Sequence, residues 1–298
     1  MRLFNLLTLF LLISIILSCS SGKQITSAIQ EGQMAYQSGQ YENALKYYEE
    51  VIAYYDQNDQ PKECPVYFEA ADAAIQLGQK EKAIDYLKKD QYSNHVNPET
   101  YYALAGLYRE KDNLSKELEE LETYGTKYPD GNRLTEVRER LFELYVESQN
   151  WEKAENEWKN LPIELVSNII KLEEYFIVNS ALEKDSVCGV IAADLLKLDE
   201  NNIVGLDYTA RKYFWKAEKR YAAELKAYEA NKTNKQYRQL LEALDQVSAD
   251  FKTALGYFKK LYLLEPTPQY AKYLGDIYNR LDDKKKADYY YRIAGGND

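Results

Sequence analysis

The sequence predicts an all-α solenoid built from repeated helix–turn–helix units, with one long helical hairpin toward its C-terminal end. Glycine and proline are sparse, at 13 and 7 of 298 residues, so few residues interrupt helices. Within residues 30–52, two helical patterns flank a turn at residues 38–40. The same pattern recurs toward the C-terminus with a period of about 34 residues. A solenoid grows by stacking such units, so the chain need not form two compact globular domains.

Small and large residues alternate in the first helical pair in a way that explains how its two helices pack. Gly32 lies in the first helix and Ala44 in the second, and Tyr36, Tyr41 and Tyr48 occupy the large positions. Two short helices cross closely where both residues are small, and aromatic side chains then fill the flanks of the crossing. Residues 30–52 are therefore predicted to form a tightly crossed pair of helices.

This pattern resembles the tetratricopeptide repeat, a helix–turn–helix of about 34 residues. The resemblance covers residues 25–294. It implies a right-handed superhelix whose concave groove, lined by the first helices, binds other proteins. Family members that clamp a partner's C-terminal carboxylate use Lys and Asn on these helices. The corresponding positions here hold other residues, which argues against carboxylate clamping: Ile29, Gln33, Phe68 and Asp72.

The repeats align on one small residue in each helix. The second-helix positions are Ala44, Ala83, Glu117, Ala154, Cys188, Ala254 and Ala287. The first-helix positions are Gly32, Ala71, Ala105, Phe142, Phe176, Ala210 and Gly275. Turns are predicted at Gly39, Gly78, Asp112, Gln149, Glu183 and Asp282. The two phenylalanines predict a wider helix separation in repeats four and five, and Glu117 leaves the third crossing without an explanation.

The interval between Cys188 and Ala254 contains 32 more residues than one period. Helical spacing runs unbroken from Phe214 to Tyr228, and a second apolar stripe follows the turn at residues 231–234. This second stripe contains Tyr237, Leu241, Leu244, Val247 and Phe251. We interpret the region as two over-long helices that project about 24 Å beyond their neighbours. An eighth repeat is the alternative interpretation.

The repeats and the hairpin divide the chain into predicted segments. Residues 25–202 contain repeats one to five. Residues 203–266 contain repeat six with the extended hairpin, and residues 267–298 contain repeat seven and a C-terminal cap.

The N-terminus resembles a bacterial lipoprotein leader. Residues 1–18 have one positive charge followed by an apolar run too short to span a bilayer comfortably, which is typical of a signal peptide. Residues 16–19 read Ile-Leu-Ser-Cys, which resembles the lipobox and implies that Cys19 is acylated at the start of a tether over residues 19–24. By the same resemblance, Ser20 implies sorting to the outer membrane. The repeats would then lie in the periplasm or on the cell surface. A plain signal peptide with an incidental cysteine is the alternative.

Composition and motifs argue against several functions. The net charge is −10, which disfavours binding to nucleic acid phosphates. The sequence contains one histidine, His95, and none of the common metal-binding, phosphate-binding or nucleophile motifs. We therefore expect neither a cofactor nor a catalytic site. Cys64 and Cys188 fall in distant repeats, so we expect no disulfide between them, and we interpret Cys188 as a packing residue.

Two sets of residues are candidates for partner binding. The first is an acidic stripe on the first helix of repeat four, which either selects a basic or extended segment of a partner or is a solvated face. It consists of Glu136, Glu139, Glu143 and Glu147. The second set is Phe214 and Trp215, which we expect either to be exposed as a binding hot spot or to pack against the hairpin.

The sequence thus resembles a tetratricopeptide-repeat lipoprotein of the Bacteroidetes type. It predicts a lipid-anchored, non-catalytic scaffold that holds another protein of the bacterial cell envelope. One alternative is an accessory lipoprotein of outer-membrane assembly or of a secretion or gliding machinery. Another is a component of a nutrient-uptake system, although such proteins have a large additional sugar-binding region for which this chain has no room.

Overall fold

The protein is all-α over the residues that its structure, a computed structural model, describes, which are 23–295. In this range the backbone forms fifteen α-helices and one 3-10 turn and contains no β-strand, so the predicted fold class is confirmed. None of the helices in 23–295 has the length and hydropathy needed to cross a bilayer. The predicted signal peptide and Cys19 lie outside the described residues.

The chain divides into two compact units, with the division after Leu144. The first unit begins with α1, which covers residues 23–37 and so includes the last two residues of the predicted tether. Its other helices are α2 (Tyr41–Gln57), α3 (Tyr67–Gln76), α4 (Lys80–Asp90), α5 (Pro98–Arg109), α6 (Leu114–Lys127) and α7 (Leu134–Glu147), whose last turn belongs to the second unit. The 3-10 turn Pro61–Glu63 follows α2. Consecutive helices pack together, as α3 does with α4 and α5 with α6.

The second unit has the same helix-on-helix arrangement. Its helices are α8 (Trp151–Trp158), α9 (Ile163–Val166), α10 (Ile169–Ala181), α11 (Asp185–Leu198), α12 (Ile203–Ala230), α13 (Asn234–Leu264), α14 (Pro268–Arg280) and α15 (Lys284–Ala294). From α10 to α15 each helix packs on the next one. The repeated element is therefore the helical pair, and within this unit the pairs α10–α11, α12–α13 and α14–α15 stack in order.

The aligned small positions lie where the two helices of a pair cross. All seven second-helix positions are buried, from Ala44 at 0% exposure to Cys188 at 3%. A Cβ atom on Gly32 would lie 2.6 Å from a ring carbon of Tyr48, and one on Gly275 would lie 2.7 Å from the ring of Tyr291. The glycines therefore let an aromatic ring of the second helix pack directly on the backbone of the first.

All six predicted turn residues adopt left-handed backbone conformations, with φ between 52° and 74°. The hydrogen bonds around Gly39 show the common pattern. The amide of Gly39 donates to the carbonyl of Tyr36, and the amide of Gln40 donates to that of Ala35. This pair of bonds is the Schellman motif, which ends a helix at a left-handed residue. Because the residue after it is the N-cap of the next helix, one left-handed residue sets the reversal in each of these six repeats.

The turn residue Glu183 offers a direct test of this backbone requirement. Its φ is 56°, and a left-handed conformation costs a residue with a Cβ about 1 kcal/mol relative to glycine. We expect Glu183→Gly to raise the free energy of unfolding by about 1 kcal/mol, measured by urea denaturation. The matched control is Gly78→Ala, where φ is 70° and a Cβ would meet nothing within 4 Å, so only the backbone cost applies. An unchanged or lower stability of Glu183→Gly would contradict the expectation.

Two departures from the small-residue pattern have structural explanations. Phe142 is fully buried in α7, so the large side chain is part of the core there. Glu117 in α6 is 1% exposed and accepts hydrogen bonds from Arg109 at 2.6 Å and from Arg140 at 2.7 and 3.1 Å. Burial alone would raise the pKa of Glu117, but the bonds from Arg140 and Arg109 outweigh it and lower the pKa. An ion-pair cluster therefore takes the place of the small residue in the third repeat.

The predicted hairpin is confirmed. Helix α12 runs for 28 residues and α13 for 31 without interruption, so the region is not an eighth repeat. The apolar stripe of α13 differs from the predicted one, since Leu240 is buried at 8% exposure, whereas Leu241 and Tyr237 are 45% and 49% exposed. The predicted stripe placed Leu241 and Tyr237 in the interface. They instead lie at its edge, one helical step away from the residues that face α12.

Candidate functional site

A groove of about 950 Å³ opens in the second unit, on the side formed by the first helices of its repeats. Most of its lining comes from α12, with contributions from α10, the start of α11 and α14. Its apolar floor includes Ile177 and Trp215, each 50% exposed. Half-exposed apolar side chains inside a groove of this volume provide a contact area for a ligand.

Basic side chains predominate in the lining of this groove. Four basic residues line it: Arg211, Lys212, Lys216 and Lys219. Two acidic residues also line it: Asp185 and Asp207. The groove is therefore locally positive in a chain whose net charge is −10.

Only part of this positive charge is neutralised by ion pairs. Arg211 binds Asp207 at 2.7 Å, and Lys216 binds Asp250 at 2.8 Å. Lys212 and Lys219 form no ion pair with any residue in 23–295. Two exposed cations thus remain available at the groove.

Fixed polar groups position the wall of the groove. The hydroxyl of Tyr208 donates to the backbone carbonyl and side chain of Asp185 at 2.8 and 2.9 Å. Burial and then this bond to Asp185 raise the pKa of Tyr208 well above its usual value, so the phenol stays protonated. The Lys212 amine lies 5.7 Å from the centre of the Tyr208 ring. Asp207 Oδ1 is buried and accepts no hydrogen bond within residues 23–295.

Of the two alternatives for Phe214 and Trp215, packing against the hairpin applies to Phe214, which is therefore not a surface hot spot. Phe214 is 4% exposed and packs edge-on against Phe251, Phe258 and Tyr273 in the core of the second unit. Trp215 is the exposed member of the pair. It lines the groove described above and a second depression of about 570 Å³ next to α14. Consecutive residues of a helix point about 100° apart, so one of the two side chains is buried while the other stays at the surface.

Nearby arginines form ion pairs with the acidic stripe on α7. Glu136 binds Arg133 at 3.1 Å, and Glu143 binds Arg140 at 3.0 Å. Glu139 is half-buried, and Glu147 is exposed. Arginines three residues earlier in the chain therefore offset the carboxylates of Glu136 and Glu143, which weakens the stripe as a site for a basic partner. Binding of a basic partner there stays a prediction.

Sequence reasoning did not identify the two free cations. Tyr208, Lys212, Trp215 and Lys219 follow one another at spacings of four, three and four residues on α12. Such spacings place side chains on one helix face. The sequence already predicts that α12 is the first helix of repeat six, and first helices line the groove. The spacing of these four residues is therefore the signal from which the two cations could have been identified.

The described residues contain no arrangement suited to metal or thiol chemistry. No group of three or more His, Cys, Asp and Glu side chains among residues 23–295 is placed to hold a metal ion. Cys64 and Cys188 are buried, free thiols, and burial raises the pKa of both. Such thiols are unreactive packing groups, in agreement with the interpretation of Cys188.

Comparison with known proteins identifies the repeat. Residues 26–58 and 65–89 match the tetratricopeptide repeat family. No curated protein matches the sequence. Among solved structures, a Bacteroides ovatus protein to which protein binding is ascribed is 17% identical, with a TM-score of 0.50 over 73% of this chain and 97% of that one. This similarity concerns the fold.

Two further solved structures resemble the chain at lower TM-scores. A tetratricopeptide repeat protein from Parabacteroides merdae is 14% identical over 92% of this chain and 93% of its own, with a TM-score of 0.45. The TPR2AB domain of yeast Sti1 in complex with pHSP90 is 13% identical over 92% of this chain and 100% of its own, with a TM-score of 0.38.

Proposed function

We propose that this chain, whose fold is a solenoid of tetratricopeptide repeats, is a non-catalytic scaffold that holds an extended segment of another protein. Proteins with this repeat mediate protein–protein interaction. The observation that supports the proposal is the groove of the second unit. There, half-exposed Trp215 and Ile177 lie beside Lys212 and Lys219, two cations without ion pairs in residues 23–295.

The chemistry of the groove specifies an acidic segment with an apolar side chain. Lys212 and Lys219 attract carboxylates, and the local excess of basic residues repels a basic segment. Trp215 supplies a rigid aromatic surface of the kind that concentrates binding energy. The groove, about 950 Å³ in volume and lined mainly along α12, has room for an extended segment.

The test uses the full chain and short fluorescent peptides, with binding followed by anisotropy. An acidic peptide with one phenylalanine is expected to bind, and its counterpart with lysines in place of the acidic residues is not. Trp215→Ala should weaken binding by about 30-fold, the effect of losing a hot-spot residue. Lys212→Glu with Lys219→Glu should weaken it by about tenfold or more, with a larger effect at low salt.

The matched control is Lys46→Glu with Lys252→Glu, which changes the net charge equally at two exposed lysines of α2 and α13. This variant should bind the acidic peptide like the wild type. Equal affinity for the acidic and the basic peptide, or equal loss in both double variants, would overturn the proposed groove.

We also propose that the scaffold is anchored to the outer membrane by lipid on Cys19. The support is the sequence alone, namely the short apolar run that ends at Cys19. Several acyl chains on one residue bury enough methylene groups for stable anchoring. We expect wild-type protein to partition into the detergent phase and Cys19→Ser to remain uncleaved or to become soluble. Equal partitioning of both proteins would contradict lipidation. This test is independent of the groove.

A further inference from the structure

The hairpin of α12 and α13 extends past the helix packed beside it. Arg280, at the C-terminal end of α14, donates to Glu218 through two nitrogens at 2.8 Å, and its guanidinium lies 4.7 Å from the centre of the Tyr221 ring. This contact marks the level at which α14 ends. Residues 222–230 of α12 continue beyond it for about 14 Å at the rise of an α-helix. The end of the hairpin is therefore a protrusion, although a shorter one than the sequence predicted.

The tip of the hairpin, residues 226–238, is positively charged. It contains four basic residues and one acidic residue, Glu229, for a formal charge of +3 in a chain of net charge −10. The basic residues are Lys226, Lys232, Lys235 and Arg238. All four are exposed, and none forms an ion pair with another residue in 23–295. Arg211, Lys216 and Arg280, in contrast, are each paired with a carboxylate.

Apolar side chains accompany these cations. Tyr237 is 49% exposed although its ring contacts that of Tyr228 at a centroid distance of 5.8 Å. Leu241, one turn further along α13, is 45% exposed. Tyrosine has an apolar ring and a polar hydroxyl, and it is enriched where proteins meet the headgroup region of a membrane.

We propose that the hairpin tip docks on a membrane surface rich in anionic phospholipid headgroups. The cations lie on α12, on α13 and on the turn that joins them, so they are spread around a protrusion and do not converge on one point. A planar array of phosphates contacts all of them at once, whereas a single carboxylate or phosphate contacts few. Each basic residue near an anionic membrane increases partitioning by about fivefold. Tyr237 and Leu241 add apolar contact at the headgroup level.

Hydrogen–deuterium exchange of the full chain tests this docking at the tip itself, whatever else attaches the chain to a vesicle. The probes are phosphatidylglycerol vesicles, phosphatidylcholine vesicles, soluble glycerophosphate and polyglutamate. We expect slower exchange in residues 226–238 with phosphatidylglycerol vesicles only, by about threefold or more, and loss of this protection in high salt.

The charge of the tip is tested by reversing its four basic residues together, as Lys226→Glu, Lys232→Glu, Lys235→Glu and Arg238→Glu. Protection of the tip should then disappear while the helix content stays the same, because all four side chains are exposed. The control reverses four exposed lysines elsewhere, with the same change in net charge: Lys46→Glu, Lys62→Glu, Lys88→Glu and Lys252→Glu. This control should keep the protection.

Three results would overturn the proposal. Equal protection by phosphatidylcholine and phosphatidylglycerol would show that charge is irrelevant. Protection that survives reversal of the four tip residues would show that other residues make the contact. Protection by polyglutamate or glycerophosphate without protection by phosphatidylglycerol vesicles would assign the tip to an acidic protein or a soluble phosphate.

Discussion

Phe214→Ala is expected to lower the free energy of unfolding of the second unit by about 3–5 kcal/mol. The ring is 4% exposed and lies between α12, α13 and α14, with Tyr273 at 5.0 Å and Phe251 at 5.8 Å between ring centres. Its removal loses both the transfer free energy of the ring and the packing around the cavity that remains. These aromatic neighbours come from two other helices, α13 and α14, so they relax only partly into the space.

The neighbouring substitution Trp215→Ala is the matched control, since it removes an aromatic ring one residue away. Trp215 is 50% exposed, and its ring packs edge-to-face with that of Phe214, with 5.2 Å between the ring centres. We expect a loss of about 1 kcal/mol, the value of one such aromatic contact. Urea unfolding of both variants, followed by helix content, measures the difference. Similar losses in the two variants would contradict the assignment of Phe214 to the core and Trp215 to the groove.

The pattern of the repeats was readable from the sequence because one local rule governs it. Each turn needs a left-handed residue between two helices, and the six predicted turns from Gly39 to Asp282 all have it. Four of the six are not glycine, so the period and the small residues of the crossings identified them, and residue type alone did not. The long hairpin followed from the absence of such a turn between Tyr213 and Glu229.

Features that depend on tertiary contacts were not predictable in the same way. Periodicity gave the apolar stripe of α13 only to within one helical step, so Leu241 was assigned to the interface that Leu240 occupies. The exposure of Phe214 depends on which side of α12 is covered by α13 and α14, and residue spacing along α12 does not specify that side. The sequence shows the acidic stripe of α7 but not its pairing with Arg133 and Arg140, which requires side-chain positions.

Glu117→Ala is expected to destabilise the first unit by about 3–5 kcal/mol, although alanine is the residue that most of the other repeats have at this position. Removal of the carboxylate leaves Arg140, whose side chain is 23% exposed, without the acceptor of its two bonds at 2.7 and 3.1 Å. Arg109 loses its bond at 2.6 Å as well. Arg140 keeps its bond to Glu143 at 3.0 Å, but this one carboxylate does not replace the bonds to Glu117, and the loss costs more than the alanine contributes through helix propensity.

An exposed ion pair provides the control for this substitution. Glu81 pairs with Lys111 at 2.6 Å but is 78% exposed, so water screens the pair and Glu81→Ala should cost far less than Glu117→Ala. Urea unfolding of the full chain measures both variants, with the transitions of the two units fitted separately because they need not unfold together. A cost for Glu117→Ala as small as that for Glu81→Ala would contradict the role of the buried cluster.

The effect of Glu117→Ala should also depend on pH. The arginines lower the pKa of Glu117 in the folded protein below that of the unfolded chain, which is about 4.3. The contribution of the carboxylate to the free energy of unfolding is therefore fully present above the pKa that Glu117 has in the unfolded chain. It is lost as the pH falls through the pKa that Glu117 has in the folded protein. Wild type and variant should differ most near neutral pH and converge in acid. Arg140→Leu added to Glu117→Ala should recover about half of the loss, because it removes the largely buried cation that the first substitution left with Glu143 as its remaining carboxylate partner.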